Sequence, residues 1–229
     1  MADFPQLPEI GQIECEFEIK RVQYLWSETS GRMGAVEAGE PRWTLAISHN
    51  SMSFEKADIL RAWVRRRRLS QRTFYGRDTW RKFPLSYPGG FAGMTRAGGG
   101  AFAGAASSWT QAIDADGDCT VTLNGLPAGF VLKTGDYIGF KWDDATLAAG
   151  NYRRRAIVSA VADAVASGAG VLAAIVEPVV PRVVPAGAVA HLDNPCCLMK
   201  LTSETKLAGN EPGNAKSGMI ISAAQLLLA

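Results

Sequence analysis

Two stretches of strict alternation constrain the fold of this 229-residue chain more than any other feature. In residues 13–19 (IECEFEI) every odd position is Ile, Cys or Phe, and every even position is Glu. Residues 42–50 (RWTLAISHN) alternate in a similar way, with Trp43, Leu45 and Ile47 on one face. A period of two is typical of a β-strand that buries one face and exposes the other. We therefore expect two half-buried strands, the first of which turns its glutamates to solvent.

One amphipathic helix is predicted after the second strand. Ser53 is a good N-cap, and Glu55 lies in the first turn, where the helix dipole favours a carboxylate. Helical spacing places five apolar side chains on one face: Phe54, Ala57, Leu60, Trp63 and Val64. Arg61, Arg65 and Arg68 fall on the opposite side. Arginines in the last turn also complement the carbonyl end of the helix.

The rest of the chain predicts a second β region behind a long joint. Residues 84–108 are rich in Gly, Ala and Ser without a clear period, which indicates a linker or an extended loop. Beyond them, short strand-like runs are separated by turn residues such as Asn124-Gly125. We place a first domain at residues 1–83, completed by residues 203–229, and a second β-domain at residues 109–202.

Charge is distributed unevenly along the chain. The net charge is only +2, which is too small by itself to drive binding to a polyanion. Residues 61–82, however, hold eight Arg, one Lys and one Asp, whereas the first fifty residues hold eight acids against four bases. This uneven distribution of charge suits a subunit whose acidic and basic patches contact patches of opposite charge on its neighbours. The candidate inter-subunit interface residues are Glu14, Glu16, Glu18, Arg65, Arg66, Arg67, Arg68 and Arg72.

The arginine run leaves three interpretations open. Together with Phe74, Tyr75 and Trp80 it has the ingredients of a platform for single-stranded nucleic acid. No helix-turn-helix, RNP or zinc pattern accompanies it, so we expect no sequence-specific nucleic-acid binding. A basic interface with a neighbouring copy is favoured, and a plain solvated surface is the third interpretation.

No catalytic, cofactor or metal site is predicted, and we do not expect an enzyme. His49 and His191, the only two histidines, continue alternating strands and accompany no GxSxG or cysteine-nucleophile signature. The run Asp114 to Asp118 (DADGD) resembles the start of a calcium loop, but its Gly is misplaced and Gly125 stands where a bidentate Glu is needed. A tight turn is therefore favoured there. The glycine-rich residues 98–104 lack the Lys-Ser/Thr pair of a phosphate loop.

Cysteine usage and the absence of long apolar runs indicate the compartment. The four cysteines (Cys15, Cys119, Cys196 and Cys197) form no CxxC pair, so reduced and mostly buried thiols are expected. No basic segment followed by an apolar one opens the chain, and no apolar run reaches about 18 residues. We expect synthesis in a cytoplasm and no membrane span.

From the middle of the chain onward, a series of short motifs follows a defined order. The motifs are Gly135-Asp136-Tyr137, Ala162-Asp163, Gly170, Pro181-Arg182, Gly187, and Pro195 with Leu198-Met199-Lys200-Leu201. An early strand pair, the stretch Gly39 to Trp43, a helix and a basic strand precede them. This order, over most of the chain, resembles that of distal tail proteins, found at the tail tip of long-tailed bacteriophages and related prophage elements. Residues 84–108 and Cys196-Cys197 lie outside the resemblance.

The resemblance implies a structural virion protein made in the host cytoplasm and located in the virion tail. Such a protein forms a ring, commonly of six copies, that joins the tail tube to the tail tip or baseplate. The implied fold is mainly β: a ring-forming belt domain, built as a β-barrel or β-sandwich with one helix, and a second, smaller β-domain. The implied partners are further copies of the chain, the tail tube protein, the tail-tip hub protein and the tape measure protein.

A host-surface or carbohydrate-binding module of a tail is the alternative function. Trp109, Tyr137 and Trp142 in the second β region can stack on sugars if they are exposed, and otherwise fill a second core. A hydrolase, the third possibility, would depend on His49 or His191.

Overall fold

Strands dominate the structure, a computed structural model that describes residues 6–207, 209–211, 214–215 and 218–227. In chain order the elements are β1 (Gln12–Lys20), β2 (Gln23–Ser27), β3 (Met33–Glu37), β4 (Arg42–His49), α1 (Phe54–Arg67), β5 (Phe74–Gly76), β6 (Ser108–Ile113), β7 (Cys119–Asn124), β8 (Val131–Leu132), β9 (Tyr137–Trp142), β10 (Arg154–Ala160), β11 (Ala164–Val165), β12 (Leu172–Glu177), β13 (Val189–His191), β14 (Cys197–Leu201), β15 (Asn210–Glu211), β16 (Asn214–Ala215) and β17 (Met219–Gln225). A mainly β chain with one α-helix was expected and is confirmed. Its sheets are open, with no closed barrel among these residues.

The first sheet has the strand order β1-β4-β17-β14-β5, and all of its pairs are antiparallel. Its inner face is apolar because the alternating side chains Trp43, Leu45 and Ile47 point into one core, where they are almost completely buried. The helix α1 closes that core with the buried Leu60 and Trp63. The predicted alternation is confirmed in β4 and in residues 14–19 of β1, whereas Ile13 is 59% exposed next to a register shift between Gln12 and Glu14. The predicted helix is also present.

Strand β14 lies in the first sheet, although it was expected in the second β-domain at residues 109–202. It pairs with β17 on one side and with β5 on the other. Its consecutive buried apolar side chains are compatible with a strand but carry no signal for which sheet it joins. β17 lies at the centre of the same sheet, so a strand from residues 203–229 completes it.

The second sheet has the order β13-β9-β10-β12-β7-β6 and covers its own apolar core. The core side chains alternate along β7 and β12, as Val121 and Leu123 do on β7. Trp109 on β6 is also buried, and its indole Nε1 donates to the carbonyl of Ala188 at 2.7 Å. Every second side chain of β7 and β12 is therefore buried, as it is in β4 of the first sheet.

Residues 84–108 were expected to form a linker or an extended loop, and they form a loop that packs against the core of the second sheet. Phe91 and Phe102 are buried there and make edge contacts, with ring centroids 5.1 Å apart. Arg96 organises the segment, because its guanidinium donates to the carbonyls of Ala105 and Gly125 and lies over the ring of Phe102. The glycine-rich composition reflects tight turns in a fixed loop.

The inner face of the first sheet meets β9 and β10 of the second. Trp43 stacks on Phe17 at a centroid distance of 4.6 Å, and the ring of Tyr137 packs edge-on against both at 5.7 Å. The indole Nε1 of Trp43 donates to the carbonyl of Ile157 on β10 at 2.8 Å. Two sheets from separate parts of the chain are thereby joined by aromatic packing and a buried hydrogen bond.

The carboxylate of Asp136 fixes the loop that enters residues 84–108. Its side chain is fully buried at the start of β9, and it accepts hydrogen bonds from three donors. These are Nη2 of Arg81 at 3.1 Å, the backbone N–H of Leu85 at 2.9 Å and that of Lys133 at 2.7 Å. A buried carboxylate is costly unless it is paired, and here it is fully paired.

Replacing Asp136 with Ala is expected to lower the free energy of unfolding by about 3 kcal/mol, because it leaves a partly buried guanidinium and two N–H groups without their acceptor. Urea unfolding followed by circular dichroism measures the change. Asp163→Ala is the matched control, because Asp163 is an exposed carboxylate that pairs with Lys133 at the surface. A loss for Asp136→Ala no larger than that for Asp163→Ala would contradict the role given to Asp136.

His191 makes the stability of the fold dependent on pH. Burial lowers the pKa of His191 from its ordinary value of 6.5 to about 4, and the nearby cations Lys141 and Arg155 act in the same direction. Between pH 4 and pH 6.5 the imidazole of His191 is protonated in the unfolded chain but neutral in the folded protein. The contribution of His191 to the free energy of unfolding is therefore fully present above about pH 6.5 and is lost as the pH falls toward 4.

We expect the wild-type protein to lose at least 1, and up to about 3, kcal/mol more stability between pH 7 and pH 4.5 than the variant His191→Asn. The measurement is urea unfolding at both pH values. Carboxylates titrate over the same range in both proteins, so the difference between the two pH dependences isolates the imidazole. Identical pH dependences would show that His191 is readily protonated in the folded protein.

Candidate assembly surface

The acidic patch lies on an edge strand. Glu14, Glu16 and Glu18 are all exposed on the outer face of β1. Within the described residues β1 pairs only with β4, so its other edge carries open backbone donors and acceptors. Unpaired strand edges are ready-made surfaces for pairing with another chain. The position of the three glutamates therefore fits the interface role predicted for them.

The basic patch surrounds the end of α1. Arg65, Arg66, Arg68 and Arg72 are exposed, and none of them forms a salt bridge within the part of the chain that the structure describes. The helix ends at Arg67, and the capping residue Arg68 adopts the left-handed conformation with a φ of 48°. The acidic and basic patches thus do not neutralise each other by contact within one copy.

Arg67 does not belong to this surface, although it was predicted as an interface residue. It is only 3% exposed. Its Nη1 donates to the carbonyl of Thr73 at 3.1 Å, and its guanidinium lies 5.7 Å from the centre of the Trp63 ring. The reason is helical spacing: Arg67 follows Trp63 by four positions and therefore shares the buried face.

A hairpin with exposed apolar side chains is a surface feature that the sequence analysis did not single out. Among the described residues β2 and β3 pair only with each other, and we call residues 22–38 the hairpin arm. Its apolar side chains are turned to solvent, with Tyr24 68%, Leu25 70% and Met33 79% exposed. Consecutive apolar residues at 24–26 were the available signal, because they make both faces of the strand apolar.

Ion pairs and a backbone hydrogen bond hold the base of the hairpin arm. Arg21 forms ion pairs with Glu37 and with Glu177 on β12, and the N–H of Ala38 donates to the carbonyl of Val22 at 2.8 Å. The indole of Trp26 lies across Gly34, where a Cβ would clash with the ring. An isolated two-stranded hairpin is marginally stable in water, and a contiguous exposed apolar surface marks an interaction site. The arm is therefore suited to packing against another molecule.

The aromatic residues proposed for sugar stacking are occupied in packing. Trp109 is buried, Tyr137 contacts Phe17 and Trp43, and Trp142 packs against the second core. Packing in the interior was the other interpretation of the sequence, and it describes Trp109 fully and Tyr137 and Trp142 in part. None of the three rings is fully exposed for stacking on a sugar.

The remaining sequence candidates are also structural. Asp114 accepts hydrogen bonds from the N–H groups of Asp116 and Asp118, and Gly117 has a φ of 93°, which together form the expected tight turn. His49 and His191 are buried within sheets, as expected. Each, however, keeps an Nε2 atom without a hydrogen-bond partner among the described residues. All four cysteines are free thiols, and Cys119 and Cys197 are buried.

No protein-family model and no curated protein matches the chain. Over the described ranges, no helix is both long and apolar enough to cross a membrane.

The burial of Arg67 separates it experimentally from its neighbours. Arg67→Gln is expected to lower the free energy of unfolding by about 2 kcal/mol, because it removes a hydrogen bond and the contact with Trp63. Arg66→Gln, the matched control one position away, should leave thermal unfolding nearly unchanged. If the two variants unfold at the same temperature, Arg67 does not act as a buried packing residue.

Proposed function

We propose that the protein is a structural, non-enzymatic subunit of a bacteriophage tail, assembling with identical copies into a ring that joins the tail tube to the tail tip. The hairpin arm carries this proposal. It is an apolar surface on a protruding element that finds no partner within the described chain. A second copy supplies such a partner without any further component.

The charges support self-assembly between unlike surfaces. The acidic strand β1 and the basic end of α1 lie on different elements of one copy and do not pair with each other. A ring of identical subunits is built from head-to-tail contacts in which two different patches meet. Opposite charges on those patches favour the correct orientation of approach and disfavour contacts between like patches.

The open edge of β1 supplies a third element of the same interface. A long, exposed edge strand is an aggregation hazard in a free monomer, and glutamates along it limit uncontrolled pairing. In a closed ring every such edge can be covered. The tail location, a ring of six copies and the tail tube, hub and tape measure partners come from the resemblance in motif order.

The double variant Leu25→Ser/Met33→Ser tests the hairpin arm. Both side chains are highly exposed, so the substitutions should not destabilise the monomer. If the arm packs against a neighbour, we expect the dissociation constant of the assembly to rise about 30-fold, because about 2 kcal/mol of apolar burial is lost. Analytical ultracentrifugation measures the mass, and negative-stain images of the wild-type protein show whether the particles are rings.

The matched control is Leu147→Ser, which removes an exposed leucine from a loop outside the arm. It should leave assembly unchanged. A wild-type protein that stays monomeric at the highest attainable concentration, and that is absent from purified virions, would overturn the proposed function.

A further inference from the structure

A small polar cleft lies where the edge of the second sheet meets β5. Its volume is about 220 Å³. Lys141 on β9, Arg155 on β10 and His191 on β13 line it, together with Tyr75, Asp193 and Cys196. Three strands of one sheet and the segment after β13 thus direct polar side chains to one place. The cleft is separate from the hairpin arm and from the acidic and basic patches.

Two cations stand directly opposite each other in this cleft. Arg155 and Lys141 are cross-strand partners in the antiparallel register of β10 and β9. Directly opposite side chains of such a pair have Cβ atoms about 5 Å apart, and like charges there are destabilising. Burial and then the charge of Arg155 lower the pKa of Lys141, in line with this repulsion.

No neighbouring group offsets the two charges by contact. Among the described residues, neither Lys141 nor Arg155 forms a salt bridge, and Nη1 of Arg155 is buried without a hydrogen-bond partner. Burial keeps the thiol of Cys196 protonated by raising its pKa, and His191 is neutral. Asp193 is the carboxylate that lines the cleft, and it is exposed and outside ion-pair distance of both cations. Arg77 nearby is already paired with Glu9.

The guanidinium of Arg155 is held from its flat side. Its Cζ lies 5.3 Å from the centre of the Tyr75 ring, and the ammonium of Lys141 lies 5.4 Å from that of Tyr152. At the edge of the guanidinium the thiol of Cys196 lies within hydrogen-bonding range, but the buried Nη1 has no partner among the described residues. Such a fork matches the paired oxygens of a carboxylate or phosphate, and an adjacent ammonium adds a point charge.

We propose that this cleft binds a small oxyanion, a phosphate or carboxylate group, between Arg155 and Lys141. The anion cancels the repulsion of the cross-strand pair and supplies an acceptor for the buried Nη1 of Arg155. Because it links β9, β10 and the segment after β13 near β5, the bound anion stabilises the contact between the two sheets.

Thermal unfolding of the full chain in inorganic phosphate tests the proposal, with sodium chloride of equal ionic strength as the reference. For a dissociation constant of about 1 mM, phosphate at about 20 mM is expected to raise the melting temperature by about 5 °C. Phosphate also stabilises proteins in general by exclusion from their surface. The decisive quantity is therefore the phosphate response of each variant, compared with its own chloride reference.

Arg155→Gln and Lys141→Gln are each expected to lose most of the response, whereas the matched control Arg182→Gln, at an exposed arginine elsewhere, retains it. If one cleft variant fails to fold, the other still decides the question. A parallel titration with acetate separates the two anion types: a response to both assigns carboxylates and phosphates to the cleft, and a response to phosphate alone restricts it to phosphates. Equal phosphate responses in the wild type and all three variants would overturn the proposal.

Discussion

The contact between the two sheets is the constraint on which the rest of the structure depends. Trp43 reaches from the first sheet to a backbone carbonyl of β10, and the ring of Tyr137 packs between the aromatic residues of β1 and β4. Next to Tyr137, the buried carboxylate of Asp136 holds the incoming loop through Arg81 and Leu85. Packing and a satisfied buried charge therefore act at the same junction. With it fixed, the edge of β1, the end of α1 and the hairpin arm all project from one rigid support.

Much of this fold can be predicted from the local periodicity of the sequence. The alternation in residues 13–19 and 42–50 specifies strands and identifies which side chains are buried, because a half-buried strand requires a period of two. The helix from Phe54 is equally clear, since its apolar positions recur at helical spacing. Periodicity does not specify which strands pair with each other in a sheet. β14 joins β17 and β5 through contacts with residues far away in sequence, so its placement in the first sheet was not predictable.

The candidate assembly surface could likewise be predicted only in part from the sequence. Exposed Glu14, Glu16 and Glu18 follow directly from strand alternation, but the position of Arg67 was misjudged because the arginine run was read as one unit. Helical geometry separates its members: Arg67 faces the core with Trp63, whereas Arg65 and Arg66 face solvent. The hairpin arm was missed for a different reason. Apolar strands normally imply burial, and the sequence alone does not show that this pair leaves the body of the protein.

The central position of β17 has a consequence for biosynthesis. It lies between β4 and β14, although it follows every other strand of the first sheet along the chain. Until β17 has been synthesised, β4 has no neighbour on that side, and the sheet that supports the acidic edge is incomplete. Pairing between such distant segments is slow compared with the formation of local structure. The first sheet therefore reaches its full strand order only after all of its other strands have been synthesised.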